Sequence, residues 1–322
     1  MKNKAMVIGK FMDFHIGHEA LIKYAKTKAK EVIVILCASS SDRRHPEQRA
    51  RWIHHTFGNT IELVNFNYAA EAGLDGGETS DRVISKAWAE WVDCAYPEVD
   101  LLVGSEDYVT YMAEYGDFEC DIFDMDRKNF PCSSTEVNAG AFEYRSAASK
   151  FELVRRVAFV GPESTGKSTA IRHFSEELGY DFVNEAAKNM LGDGGMYDYY
   201  DLDQFALKHA SDVNEAISEC TSETLLIDSS ILDTTYYSLN MYDRSTSILE
   251  ALTLSEHMDL YVVFSPEVPI VDDGTRLMTD EDRNLMFIWM VKHLKKLGRE
   301  SVIIKGTDYE DRLRQVGDAL RR

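Results

Sequence analysis

The 322-residue chain is poor in cysteine, with five scattered positions (Cys37, Cys94, Cys120, Cys132 and Cys220) and no Cys-x-x-Cys pair. An odd, dispersed set argues against a disulfide framework or a thiolate zinc site, and it fits a reducing cytoplasm. No apolar run approaches the length of a membrane span. The N-terminal "MKNKAMVIGKFM" carries lysines, but its apolar run is short and Lys10 breaks it; it reads as a first strand, not a signal peptide. Positive charge is scarce too: 35 Lys and Arg stand against 55 Asp and Glu, a formal net charge of -20. That field repels phosphodiester backbones and argues against nucleic-acid binding by bulk electrostatics, while leaving room for a small basic pocket. Internal repeats and low-complexity tracts are missing as well. The expectation is a soluble cytoplasmic protein that acts on small molecules, with no nucleic-acid or membrane partner; a homo-oligomer is left open.

Hydrophobic content of 44% and charged content of 28% are those of an ordinary globular protein, and the length is comfortable for two domains. Short apolar runs alternate with helical patterns, which points to parallel α/β architecture. "AMVIGKF" (5–11), "EVIVILCAS" (31–39), "TIELVNF" (60–66) and "DLLVGS" (100–105) read as strands. Leu21, Ile22, Ala25 and Ala29 recur at helical spacing between the first two, and an amphipathic helix is expected around Arg82–Val92. The pattern restarts with "RRVAFVG" (155–161), followed by a helix marked by Ala170, Ile171, Phe174 and Leu178. "YDFVNE" (180–185), "TLLIDSS" (224–230), "LYVVFS" (260–265) and "SVIIKG" (301–306) supply further strands. Two beginnings imply two domains, 1–148 and 149–322, with the polar "RSAASK" (145–150) as the boundary. "GLDGGETSD" (73–81) and "GDGGMYDYYD" (192–201) lack apolar periodicity and read as mobile loops. The second, with Tyr197, Tyr199 and Tyr200, suits a lid or a stacking surface; a solvated loop is the plainer alternative.

"GPESTGKS" (161–168) satisfies G-x-x-x-x-G-K-[ST] through Gly161, Gly166, Lys167 and Ser168. Backbone N–H groups of such a loop wrap the phosphates of ATP, the lysine neutralises the β/γ charge, the serine reaches Mg²⁺ and the helix N-terminus adds favourable potential. Average residue usage gives about one chance match in a hundred chains of this length. Here an apolar strand precedes the loop and a helix follows. Glu163, Ser164, Thr165 and Thr169 complete the expected nucleotide contacts. Phosphoryl transfer also needs an acid near Mg²⁺ or the attacking hydroxyl, and "LLIDSS" places Asp228 at a strand end; an ordinary turn-forming aspartate is the alternative. "VDDGTR" (271–276) offers Arg276 to close over the transferring group and Asp272 and Asp273 to hold a sugar or the metal; a surface turn is the alternative.

A second phosphate site is suggested by "GKFMDFHIGH" (9–18). His15 and His18 lie three apart at the start of a helix and share one face. No further His or Cys stands at zinc-ligand spacing. A phosphate reading uses everything present: a strand end, Gly17 for close backbone approach, a helix N-terminus and two imidazoles; two solvated histidines at a helix start are the alternative.

"FHIGH" after an N-terminal strand resembles the HxGH signature of the nucleotidylyltransferase superfamily. "CSSTEVN" (132–138) resembles that superfamily's serine–threonine element through Ser133, Ser134 and Thr135. An HxGH domain followed by "GPESTGKS", "LLIDSS" and "VDDGTR" looks like the NadR-type bifunctional family, in which nicotinamide-nucleotide adenylyltransferase is fused to ribosylnicotinamide kinase. Matching stretches cover nearly the whole chain and include "PEQRARWI", "TSDRV", "GSEDY", "DMDR", "NEAAK" and "DQFALKH". The resemblance implies two Rossmann-like domains, an HxGH parallel sheet and then a P-loop kinase parallel sheet. It implies two ATP- and Mg²⁺-dependent steps, ribosylnicotinamide to nicotinamide mononucleotide and then to NAD. His15 and His18 would stabilise charge on the α-phosphate, with Gly9, Lys10, Phe11, Gly17, Ser133, Ser134 and Thr135 as further ATP contacts. In the kinase half Lys167, Asp228 and Arg276 would be catalytic, Ser168 and Asp228 would hold the metal, and Glu185, Lys188, Asp272 and Asp273 would bind the acceptor. Some members carry an N-terminal DNA-binding module and act as repressors; with the chain opening on its first strand, that role is not expected.

The chain departs from the family pattern at several positions. Asp13 replaces a usual proline, and a carboxylate there repels a triphosphate unless a base or Mg²⁺ offsets it. Asn138 replaces a signature arginine, Thr79 and Ile270 replace aromatics, Ser230 replaces a second acid and Lys188 an arginine. A kinase for another nucleoside with a degenerate first domain, and a non-catalytic ATP/NAD sensor, are the alternative readings.

Overall fold

Strand β1 (Lys2–Gly9) has Ala5, Met6 and Val7 wholly buried, as a strand covered on both faces requires. The helix Ile16–Lys28 returns the chain, turning Leu21, Ile22 and Ala25 inward, and β2 (Ala29–Cys37) then pairs with β1 in parallel, Lys2 opposite Ala29 and Gly9 opposite Leu36. Ala29 therefore opens a strand and does not extend the helix. With β3 (Glu62–Phe66), β4 (Leu101–Gly104) and β5 (Glu119–Ile122) the first sheet is parallel and ordered β3-β2-β1-β4-β5. In the computed structural model the described residues are 1–39, 42–76, 81–191, 197–270 and 278–322. Contacts divide the chain into Met1–Glu152 and Leu153–Arg322.

The second unit repeats the plan. Strands β6 (Arg155–Val160), β7 (Asp181–Val183), β8 (Thr224–Asp228), β9 (Leu260–Phe264) and β10 (Ser301–Ile304) form a parallel sheet in the order β10-β9-β6-β8-β7. In each unit the first strand is central and its neighbours diverge to both sides. The carboxyl end of that strand is then a crevice where open α/β sheets bind ligands. The core beneath is aliphatic and aromatic: Val157, Phe159, Leu226, Val262 and Ile304 are wholly or nearly wholly buried. Each such side chain stabilises the fold by about 1.5–3 kcal/mol relative to exposure.

The polar segment 145–150 is largely buried. Arg145, Ser146, Ser149 and Lys150 are buried, and the helix Ala147–Leu153 runs through the segment. The Ser146 N–H (3.2 Å) and the Ser149 hydroxyl (3.0 Å) both donate to the Phe14 carbonyl, so the segment closes over the histidine turn. No helix among the described residues is long and apolar enough to cross a membrane.

Candidate active sites

In the first unit His15 caps the helix Ile16–Lys28. Its Nδ1 accepts from the Gly17 N–H at 3.2 Å, which leaves Nε2 to carry the proton, 3.3 Å from Ser134 Oγ. The His18 ring stacks on it with centroids 3.7 Å apart, and His18 Nδ1 is buried with no hydrogen-bond partner. Burial, with the Arg127 guanidinium facing it, lowers His15 to about 4. Burial, His15 and Arg127 hold His18 well below the usual histidine value. Both imidazoles are neutral at pH 7. They offer N–H donors to an oxyanion, with the cation Arg127 beside them.

Asp13 is wholly buried beneath this turn, and three guanidiniums surround it: Arg44 Nε at 2.8 Å, Arg43 at 3.1 Å, and Arg145. Burial alone would raise its pKa, but Arg44 and Arg145 outweigh that and hold the carboxyl below its ordinary range. One anion against three cations leaves the cluster net positive. Arg43 also donates to Asn138 Oδ1 at 2.6 Å, so a guanidinium stands beside the position where the signature arginine is absent. Ser133 is the N-cap of the helix Ser134–Asn138 and its hydroxyl donates to Glu136 at 2.7 Å; Ser134 faces His15 and Thr135 is exposed. Gly9 adjoins the buried Phe11 ring, and Lys10 Nζ lies 3.4 Å from the Gly76 carbonyl.

In the second unit the loop 161–168 leaves β6 and enters the helix Lys167–Leu178. Gly161 has φ 125°, and a Cβ there would come within 2.7 Å of the Phe264 carbonyl oxygen, so only glycine fits. Lys167 Nζ is folded onto its own loop, donating to the carbonyls of Gly161 (2.6 Å) and Pro162 (2.9 Å). Ser168 Oγ donates to Asp228 Oδ2 at 2.5 Å, while Asp228 Oδ1 is buried without a partner. β6 and β8 pair Phe159 with Asp228, which brings the strand-end acid to the phosphate loop. Burial raises the Glu185 carboxyl against the opposing pull of Lys167. Lys188 and Thr169 are exposed. Asp272, Asp273 and Arg276 lie outside the described residues, as do Thr79 and part of each glycine-rich segment. Tyr199 packs on Tyr242 under the Arg244 guanidinium, and Tyr197 on Phe205, whereas Tyr200 is exposed.

Residues 156–312 match a family described as AAA domain. Two curated relatives are named trifunctional NAD biosynthesis/regulator protein NadR. The one from Salmonella typhimurium LT2 is 27% identical over 341 residues, covering 97% of this chain and 81% of the relative. The one from Escherichia coli K12 is 27% identical over 353 residues, covering 99% and 83%. The chain is NadR-like along its length. A solved NadR protein in complex with NR superposes with a TM-score of 0.59 at 17% identity, covering 99% of this chain and 95% of that one. A second, in complex with NAD and AMP-PNP, gives 0.58 at the same identity, covering 99% and 96%. At that identity the likeness speaks for the fold.

The NadR-like motifs account for the front of each site but not its support. Arg283 and Arg312, both buried, hold the phosphate loop from behind. Arg283 donates to the carbonyls of Glu163 (3.2 Å) and Val268 (3.0 Å), and Arg312 to those of Thr165 and Ser265 (3.1 Å each). With their carbonyls engaged outward, the loop's N–H groups are free to converge on an anion. A sequence signal was present: Arg283 shares a helical stripe with Met286, Met290 and Leu294, and Arg312 with Val316 and Ala319. A charge at a core position demands buried partners.

Gly17 is the tightest position of the NadR-like first site. An added Cβ would lie 3.0 Å from the His15 ring and 3.2 Å from Cys132 Sγ. Gly17→Ala is expected to push the His15 ring aside and lower adenylyl transfer by about 10–100-fold, as misplacements of this scale do. Kinase activity of the same preparation serves as the control; unchanged adenylyl transfer would remove the case for His15 geometry.

Proposed function

We propose that the protein makes NAD in two consecutive ATP-dependent steps. The second unit phosphorylates ribosylnicotinamide to nicotinamide mononucleotide, and the first adenylates the mononucleotide to NAD. The observation that carries this reading is that the histidine turn and the Gly-x-x-x-x-Gly-Lys-Ser loop lie on one chain, each at the carboxyl end of the central strand of its own sheet. The relatives support the substrate assignment, and the reading carries a cytoplasmic location with it.

In the kinase the 5′-hydroxyl oxygen of ribosylnicotinamide attacks the γ-phosphorus of ATP as the bond to the β-bridging oxygen breaks and ADP leaves. Asp228 Oδ1, buried and unpartnered, is placed to orient that hydroxyl and receive its proton. Lys167 and the loop amides hold the phosphates. Ser168 Oγ and the Asp228 carboxylate form the all-oxygen set that suits Mg²⁺, which when bound would neutralise phosphate charge. Glu185 and Lys188 are assigned to the acceptor, Asp272 and Asp273 to the sugar, and Arg276 to the transferring group.

In the transferase a phosphate oxygen of the mononucleotide attacks the α-phosphorus of ATP and pyrophosphate leaves. His15 Nε2–H and His18 stabilise the charge that develops there, with Ser134 and Thr135 as further donors. Arg43, Arg44 and Arg127 supply the cations that Asp13 and Asn138 would otherwise leave wanting. Positioning and electrostatics suffice, with no covalent intermediate.

Pure protein incubated with ATP and Mg²⁺, separately with ribosylnicotinamide and with nicotinamide mononucleotide, is expected to yield NAD from both by chromatography. Mononucleotide alone from the first mixture would leave a kinase with an inactive transferase. Neither product would overturn the nicotinamide assignment.

A further inference from the structure

Asp233 belongs to none of the motifs that led to the kinase site, yet it is 4% exposed at the third position of the helix Ile231–Tyr242. One carboxylate oxygen does the work of a helix cap: Oδ2 accepts from the Ser230 N–H and from the Ser230 hydroxyl, both at 2.9 Å. The other oxygen does something a cap does not need. Oδ1 accepts from the Gly161 N–H at 3.4 Å, across 72 residues of chain, at the first glycine of the phosphate loop.

The C=O of that same Gly161 accepts from Lys167 Nζ at 2.6 Å. Asp233, Gly161 and Lys167 thus form a continuous run of contacts through a single residue. Gly161 itself is irreplaceable in this link, since its φ is 125° and an added Cβ would meet the Phe264 carbonyl oxygen at 2.7 Å. A helix N-terminus favours a negative charge, but a capping acid at the surface gains that too. Here the charge is buried where the attracting group is the Lys167 ammonium. Glu185, Glu256, Tyr237 and Tyr261 are the other titratable groups in its field.

We propose that Asp233 is a positioning residue of the phosphate loop: it holds the Gly161 peptide and so sets where the Lys167 ammonium rests before ATP arrives. This rests on the kinase reading above. It gives the site a carboxylate from one helical turn beyond Ser230, the position where the family usually carries its second acid.

The test compares wild type with Asp233→Asn. Three readouts are taken: KM for ATP and kcat in ribosylnicotinamide phosphorylation, and Mg·ADP affinity by calorimetry, which needs no acceptor. Losing the charge is expected to raise KM for ATP and weaken Mg·ADP by about tenfold, the effect of about one charge-assisted hydrogen bond, with kcat within a few-fold of wild type. Burial raises the Asp233 carboxyl to about 6, so it is ionised above that pH and loses its charge as pH falls through it. Wild-type kcat/KM for ATP, which reports the free enzyme, should therefore fall relative to the variant on acidification through about 6, until the two converge. A lower melting temperature with unchanged KM, unchanged ADP affinity and a parallel pH profile would reduce Asp233 to a helix cap and overturn the proposal. Should Asp233→Asn fail to fold, Asp233→Glu keeps the charge but alters its reach, and a wild-type KM in that variant overturns the proposal equally. Wild type that binds Mg·ADP but makes no mononucleotide would instead sink the acceptor assignment and leave the ADP comparison standing.

Discussion

Lys167→Ala is expected to abolish ribosylnicotinamide phosphorylation, by about a thousandfold or more in kcat/KM, while adenylyl transfer from added mononucleotide keeps its rate. Lys167 is the side-chain cation of the phosphate loop, and losing a single preorganised donor to a transition-state oxyanion costs about 10²–10³; losing a full charge costs at least as much. The substitution is tolerable to the fold. Among the described residues the ammonium bonds only to carbonyls of its own loop, whereas Arg283 and Arg312 hold that loop from behind. A coupled assay on one preparation decides the matter, with mononucleotide formation and NAD formation read separately. Equal loss of both activities would mean that the units do not work independently, and equal retention would remove Lys167 from the mechanism. Asp228→Asn adds a finer test, since it keeps an acceptor toward Ser168 but removes the base: kcat should fall far more than KM for ATP rises.

The reciprocal experiment is His18→Ala, expected to cost about a thousandfold in adenylyl transfer with phosphorylation unaffected. His18 brings a buried, unpartnered Nδ1 to the carboxyl end of β1 and stacks on His15, so both rings form one surface. The pH profile carries the sign of the mechanism. With His15 lowered to about 4 and His18 also depressed, the free enzyme holds both imidazoles neutral throughout the usual assay range. The profile of kcat/KM should therefore show no histidine step near 6.5, whereas a mechanism needing preformed imidazolium loses rate as pH rises through that value. Such a loss in wild type, absent in His18→Ala, would show that His18 acts as an imidazolium already formed in the free enzyme and would overturn the neutral-donor reading.

How much of this was legible depended on whether a residue's partners lie near it in sequence. The phosphate loop, the histidine turn and nine strands carry local signals: glycine spacing, apolar runs, a helix following a strand. The β5 segment does not, because "ECDI" alternates acids with apolar residues on a half-covered edge and never forms an apolar run. Asp13 illustrates the other limit. Read alone it repels a triphosphate; in the fold it is the buried centre of three arginines drawn from positions 43, 44 and 145. Asp233 was hidden because its capping role is local and its contact with Gly161 is not. Arg283 and Arg312 were readable in principle as charges at core positions of helical stripes, but which backbone they serve was not. The segment 145–150 was legible as polar but not as buried: its groups bond to one another and to Phe14 O.

The bracing of the phosphate loop by Arg312 has a consequence for the newborn chain. The loop at 161–168 emerges from the ribosome early, but the guanidinium that fixes the Thr165 carbonyl follows 147 residues later. At about 5–20 residues per second the loop waits roughly 7–30 seconds without that support. The histidine turn waits for Arg145 and the serines that follow it, so the parts of the first site come together before the second sheet has been translated. During synthesis the site for the later chemical step is therefore complete first, and the site that would feed it is complete only when the last helix is in place.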